Sequence, residues 1–544
     1  MELAISFALA LFISTALVPV AIRYAGAMGL VDQPDHDRKQ HSDPIPRCGG
    51  LAIAVAVLLP SLFWLRDISG MTGLLLGAAI IAFFGFMDDR HELDYRWKFA
   101  GQIIGVIVFL YGNVEITKTP FLGLGDLAPW LSYPIIALFV LGVTNAVNLS
   151  DGLDGLAAGS SLLSLAFVAY LGYVAGESSF ALIAVAAMGA LLGFLRYNTH
   201  PATVFMGDTG SQFLGFVAAC LALQVTQSDN SAVSPMLAVM IVGLPVLDTL
   251  MVMILRVRDG MSPFKPDRRH LHHQFLDVGM LHYQAVGTLY LLSFALLAVA
   301  YLVRFETDSV VLLSYLVFCA ATVGTIHFFK HSHFGKRRRE AISGRTERRN
   351  LWLRRFGWLH KHGATVVQVL LGLIWVMSIA FKHDYPPSMG YLGLAGLVGT
   401  LVLWRFVHGN QRVHSRFSIY GASVLALFVA SYGADGMRLS WPATHFAVDM
   451  LLMGLVLMLV LAIRTTRREQ FRLDTQDILV LLILLAAPLL NIGSGDGSDN
   501  IGVIIRLAVL LYAAEFLIGR AKRLYFANGL ALFSFALVAA LAWL

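Results

Sequence analysis

The chain has 544 residues, of which 57% are hydrophobic and only 14% charged, and its mean hydropathy is +0.71. A water-soluble domain carries about 25% charged residues, so a string of soluble domains is excluded and a polytopic membrane protein is expected. The formal net charge of +6 fits basic cytoplasmic loops better than a nucleic-acid surface, because no soluble basic domain exists to hold one.

The N-terminal stretch MELAISFALALFISTALVPVAI has no basic leader and is too long for a signal-peptide core, so it reads as the first membrane span. Further apolar runs of membrane length follow at 49–65, 71–87, 99–113, 131–147, 160–176, 179–195, 211–227, 235–255, 284–303 and 309–329. A basic segment over 331–362 reads as a cytoplasmic linker. Beyond it lie runs near 363–381, 389–407, 416–432, 444–463, 476–491, 501–519 and 525–543. The expected fold is all-α, a polytopic helical membrane protein with about 11 spans over 1–330 and about seven over 363–544. Most basic residues fall in inside loops if odd-numbered spans run inward, which puts the N-terminus outside. The loops at 23–48, 88–98, 148–159, 196–210 and 256–283 then all lie on the cytoplasmic face. They hold nearly every unusual polar motif, so an active site assembled there from several loops is expected.

The first motif is FFGFMDDRHELD, where an apolar run stops at Asp88 and Asp89. A charge at the bilayer centre costs about 2.5–3.5 kcal/mol on insertion scales, so the pair belongs at a membrane boundary. Two adjacent carboxylates also repel, and a cation or a proton resolves the conflict. In TNAVNLSDGLDGLAAG, Asn145, Asn148, Asp151 and Asp154 recur every three residues, which lines them along one side of a helical or turn-like segment. A solvated loop with Asx turns is the competing reading. In FMGDTGSQFLG, Asp208 either caps the following helix or holds a cation beside a phosphate at that helix's N-terminus. Hard oxygen ligands suit Mg²⁺ or Mn²⁺ rather than zinc. In SPFKPDRRHLHHQF, Arg269, His270, His272 and His273 form a phosphate-gripping or proton-handling cluster, with a lipid-headgroup loop as the bland reading. Lys39, in the first inside loop, can meet a phosphate.

Cys48, Cys220 and Cys319 are isolated and offer neither a disulfide framework nor a thiolate metal site. No GxxxxGKS/T loop, GxSxG elbow or GxGxxG turn is present. Carboxylates, a divalent metal and cations for phosphate at a membrane face point to phosphoryl-type chemistry on a lipid phosphate and a soluble diphosphate donor. A cation-coupled transporter is the rival class; such proteins place ionisable residues near the midplane, often in inverted repeats.

DDR at 88–90, NAVNLSDGLDGLA at 145–157, FMGDTGS at 205–211, PVLDT at 245–249 and PDRRHLHH at 266–273 together resemble the polyprenyl-phosphate N-acetylhexosamine-1-phosphate transferases. The PDRR-HLHH form is closest to the undecaprenyl-phosphate N-acetylglucosamine-1-phosphate transferase branch. The resemblance covers about residues 1–330 and is silent on 363–544. It implies a bacterial inner-membrane enzyme, with a homodimer as one open assembly, that moves a sugar-1-phosphate from a UDP-amino sugar to undecaprenyl phosphate and releases UMP. N-acetylglucosamine is the leading sugar and a 6-deoxy-N-acetylhexosamine the second. Asp208 is the implied principal Mg²⁺ ligand, with Asp88 and Asp89 nearby and Asp88 as base. Asn148, Asp151 and Asp154 are implied to bind the donor or its metal. Arg269, His270, His272 and His273 are implied to hold the diphosphate, and Lys39 to reach the uridine side. A single displacement and a double displacement through an aspartate both remain open.

Overall fold

The computed structural model describes residues 2–32, 44–65, 71–112, 128–227, 232–262, 269–331, 357–380, 387–406, 411–431, 450–458, 509–510, 513–514, 516–518 and 525–542. The protein is an all-α polytopic membrane protein. Among the described residues nine helices are long and apolar enough to cross a membrane, and four shorter apolar helices accompany them. In hydrocarbon, backbone N–H and C=O groups must find partners within the segment, so each uninterrupted apolar run closes into a helix. Phe63, Leu138 and Ile254 lie exposed on the outer faces, as a lipid solvent permits. Two compact units divide the chain, one built on Met1–Glu340 and the other on the described helices after Ala341.

In the first unit, α1 (Glu2–Met28) leads through a short antiparallel pairing of Val31–Asp32 with Ile45–Pro46 into α2 (Gly49–Leu65). Then come α3 (Met71–His91), α4 (Tyr95–Tyr111), α5 (Pro129–Ser150), α6 (Leu156–Val174), α7 (Ser178–Asn198) and α8 (Gly207–Gln227). The central element is α8, buried over its whole membrane-length window and flanked by α2, α3, α5 and α6. Its first turn meets the start of α2, where Gly50 donates its N–H to the Met206 carbonyl at 2.8 Å. A Cβ at Gly50 would lie 2.2 Å from the Gly210 nitrogen and 2.7 Å from the Met206 oxygen. Only glycine lets these backbones come so close.

The run at 235–255, expected as one span, is broken. A short α9 (Leu237–Ile241) is separated by Val242 from α10 (Gly243–Arg258). The physical cause is Pro245, which lacks an N–H and crowds the carbonyl four residues earlier, that of Ile241. Ser164 of α6 satisfies that carbonyl with a 2.6 Å hydrogen bond, and Tyr315 donates to the Gly243 carbonyl at 2.8 Å. The loop expected at 256–283 also contains a helix, α11 (Leu271–Asp277), before α12 (His282–Val303) and α13 (Asp308–His331). The first-unit helices extend past the expected span ends, so Asp88, Asp89 and Asn148 are helical rather than loop residues.

The second unit contains helices over Gly357–Ala380, Pro387–Phe406, Gln411–Ser431 and Tyr525–Leu541. The first of them begins inside the stretch read as a linker. Trp375, Ile419, Leu425 and Phe535 anchor its core. Trp375 donates to Ser423 at 3.2 Å, and Asn528 bridges Ser415 and Ser418 at 2.9 Å each. The span expected at 476–491 lies outside the described residues.

Gly50→Ala is expected to destabilise the first unit by about 1–3 kcal/mol, because backbone rather than a flexible side chain must move. The detergent-solubilised variant should unfold at a lower temperature than wild type. Gly26→Ala, with nothing within 4 Å of the added atom, should not shift the midpoint downward.

Candidate active site

The first turn of a helix leaves backbone N–H groups without intrahelical partners, and a buried helix cannot give them to water. At α8 those donors go to Asp89. Its carboxylate accepts the Asp208 N–H at 2.7 Å, the Thr209 N–H at 2.9 Å and the Thr209 hydroxyl at 2.5 Å. Both oxygens of Asp89 are thereby engaged, and a negative charge sits at the positive end of the α8 dipole. Gly207 adopts φ +71°, and a Cβ there would lie 2.6 Å from Asp89. Asp208 is therefore not the cap that its position before an apolar run suggests; it lies in the first turn, with Asp89 capping from α3.

This arrangement turns the Asp208 side chain toward α4. Lys98 places its ammonium 2.7 Å from Asp208 Oδ2 and 2.5 Å from Asp88 Oδ2. One cation thus joins two carboxylates from different helices. Asp88 also accepts the Leu93 N–H at 2.8 Å, where α3 gives way to α4. Asn148 lies against Asp208 and accepts from the Ser211 hydroxyl at 2.8 Å. Asn145 faces a different partner: it exchanges hydrogen bonds with Gln102, which in turn donates to Gln212 at 2.9 Å. This buried amide chain ties α4, α5 and α8 together beneath the carboxylates.

The four residues read as one polar stripe therefore diverge, because α5 ends at Ser150. Asp151 sits at the helix end, half-buried, and its carboxyl is pushed up to about 7 by burial first and then by the charges of Asp208, Asp154 and Asp89. Asp154 turns to the segment before α8, accepting from the Ala202 N–H at 3.1 Å and meeting His200 Nδ1 at 2.7 Å.

The basic cluster is organised by a residue that sequence patterning quoted without a task. Asp248 on α10 meets His270 Nδ1 at 3.0 Å and accepts the Leu271 N–H at 2.6 Å, so it orients the imidazole and caps α11 together. His272 is buried over Gly152, and burial with the neighbouring His273 and His270 lowers it to about 3. It is a neutral hydrogen-bonding group at physiological pH, not a charge. The rings of His272 and His273 lie 4.2 Å apart, and Arg269 pairs with Asp259 at 2.5 Å. Lys39 lies outside the described residues.

The oxygen donors Asp88, Asp208 and Asn148 are a hard ligand set, which fits Mg²⁺ or Mn²⁺. The position that joins the two carboxylates is held by the Lys98 ammonium, so a site built for positive charge exists there.

Residues 71–226 match the model of glycosyl transferase family 4. A probable undecaprenyl-phosphate N-acetylglucosaminyl 1-phosphate transferase of Bacillus subtilis (strain 168) is 35% identical over 297 residues, covering 54% of this chain and 82% of that protein. An undecaprenyl-phosphate alpha-N-acetylglucosaminyl 1-phosphate transferase of Escherichia coli (strain K12) is 32% identical over 295 residues, 52% of this chain and 79% of that protein. A decaprenyl-phosphate N-acetylglucosaminephosphotransferase of Mycobacterium leprae (strain TN) is 35% identical over 314 residues, 52% of this chain and 77% of that protein. The chain belongs to glycosyl transferase family 4. As a family 4 member it resembles the polyprenyl-phosphate N-acetylhexosamine-1-phosphate transferases expected from its motifs, and Asp88, Lys98, Asp151 and Asp208 all fall within the matched segment.

Lys98 and Asp248 are the two site residues that sequence reading did not single out. A lysine at the start of an apolar run looks like an ordinary membrane-boundary anchor. An aspartate inside an apolar run signals an intramembrane partner, though not which one. Asp248→Ala is expected to lower turnover by about 10- to 100-fold, the range for losing the partner that orients a functional histidine. Amide exchange across α11 should quicken in the same variant, since the Leu271 N–H loses its acceptor.

Proposed function

We propose that the protein transfers N-acetylglucosamine-1-phosphate from UDP-N-acetylglucosamine to undecaprenyl phosphate at the cytoplasmic face of a bacterial inner membrane, releasing UMP. The observation that carries this reading is the bridging of Asp88 on α3 and Asp208 on α8 by the Lys98 ammonium, with Asp151 just past the end of α5 feeling the Asp208 charge. The named activities of the relatives supply the sugar and the acceptor. One pyrophosphate bond breaks as another forms, so the task is positioning and charge neutralisation rather than driving an uphill step.

In this reading Asp208 and Asp88 would hold Mg²⁺, whose chemistry would be to neutralise charge on the donor diphosphate. Asp88 would also assist the acceptor phosphate as base. Lys98 shields the two carboxylates from each other and would offer its ammonium to a phosphate oxygen beside them. Asp89 positions Asp208 through the α8 N-terminus. Asn148 and Asp151 would meet the donor, and His273 on α11 and Arg269 just before it would meet its diphosphate. His270, steered by Asp248, offers its remaining ring nitrogen to a phosphate oxygen.

Asp208→Ala should abolish Mg²⁺-dependent UMP release from UDP-N-acetylglucosamine in membranes supplied with undecaprenyl phosphate. Wild-type turnover in that variant contradicts the assignment, and a panel of UDP-sugars reads the donor directly. For Asp88, the pH–rate profile of Asp88→Asn should lose its acidic limb; an unchanged profile rules out a base there.

Asp151, raised to about 7, binds a proton as pH falls through that value, and a cation among the carboxylates must displace it. The Mg²⁺ concentration for half-maximal UMP release should therefore rise as pH drops below 7, by up to about tenfold per pH unit for one displaced proton. Asp151→Asn should flatten that dependence.

A further inference from the structure

We propose that Asp154, His200 and His282 form a second metal site, for a borderline-soft divalent ion such as Zn²⁺, distinct from the oxygen-rich site at Asp208. The three residues come from three segments: the turn after α5, the loop before α8 and the first position of α12. One ligand atom from each lies within 4.8 Å of the others. The His200 and His282 rings face each other at 4.0 Å with 19° between their planes, and His200 Nδ1 lies 2.7 Å from Asp154 Oδ2.

The donor chemistry separates this site from the one at Asp208. Two imidazoles and one carboxylate are the ligand mixture of zinc, whereas Mg²⁺ prefers oxygen throughout. Ligands at about 2.0–2.2 Å in tetrahedral array stand about 3.3 Å apart, so closing on an ion draws the ligand atoms together and turns the stacked His200 and His282 rings until a nitrogen lone pair of each, which lies in its ring plane, points at one centre. Three protein ligands leave a fourth position for water or a ligand atom.

Two further observations support a built site. His282 Nδ1 is buried without a hydrogen-bond partner, and such an atom calls for an explanation. The supporting backbone is also fixed before any ion arrives. Gly155 donates its N–H to Asn198 Oδ1 at 2.9 Å, and Asn198 donates to the Val204 carbonyl at 2.9 Å. Tyr290 on α12 donates to the Gly155 carbonyl at 2.6 Å. Ala202 gives Asp154 an outer-shell donor at 3.1 Å. The turn carrying Asp154 is thus held to both segments that carry the histidines, the second-shell support that metal sites need.

A metal here ties the turn that bears Asp151 to the loop leading into Asp208. It holds the two sides of the transferase site at a fixed spacing without entering the reaction.

The test uses full-length protein without a polyhistidine tag, purified and dialysed against trace Zn²⁺ with Mg²⁺ in large excess. Elemental analysis should find one zinc per chain, and zinc should raise the thermal unfolding midpoint. His200→Gln and His282→Gln should each lose the bound zinc and the thermal shift, while His273→Gln keeps both. X-ray absorption of the zinc-loaded wild type should show two imidazoles and a light-atom shell, which decides the ligands even if a variant folds poorly. Wild type without retained zinc, retention unaffected by His200→Gln and His282→Gln, or loss in His273→Gln overturns the proposal.

Discussion

The first turn of α8 is the constraint on which the site depends. A helix buried along its whole length has nowhere to place the N–H groups of its first turn except on another protein group. Asp89 takes them from α3, and in doing so fixes where Asp208 points. The same contact explains the glycine at 207, where a Cβ would strike the Asp89 carboxylate. A carboxylate used this way is structural in its bonds and functional in its consequence.

Electrostatics then accounts for Lys98. Two unit charges 4 Å apart interact by about 4 kcal/mol at an effective dielectric of 20, a large share of a domain's net stability. Asp88 and Asp208 cannot face each other ionised without a cation between them. The Lys98 ammonium supplies one, at 2.5 and 2.7 Å.

The second unit is built on other terms. Among its described residues there is no aspartate or glutamate, and neutral hydrogen bonds run from Trp375 to Ser423 and between Asn528 and Ser415 and Ser418. Helix association in lipid commonly uses close small-residue packing with a few such hydrogen bonds. Gly393 against the backbone of Phe535 is an example. The acidic chemistry of the described chain belongs to the first unit.

Composition and motif order by themselves determined the fold class, the family and the neighbourhood of the site. Apolar runs of membrane length have one stable outcome in hydrocarbon, and clustered carboxylates at their ends mark a boundary. Three things were decided only by tertiary structure. The break at Val242 follows from Pro245, but it is tolerated because Ser164 of another helix satisfies the Ile241 carbonyl. The stripe Asn145–Asn148–Asp151–Asp154 has a regular spacing, yet Asn145, Asn148 and Asp154 each find a different partner, and α5 stops at Ser150. Lys98 looked like a boundary lysine and became the bridge from Asp88 to Asp208, which lies 110 residues from Lys98 in sequence. Spacing reports what a residue can reach along its own helix; partners contributed by other helices are set by packing, which no local pattern encodes.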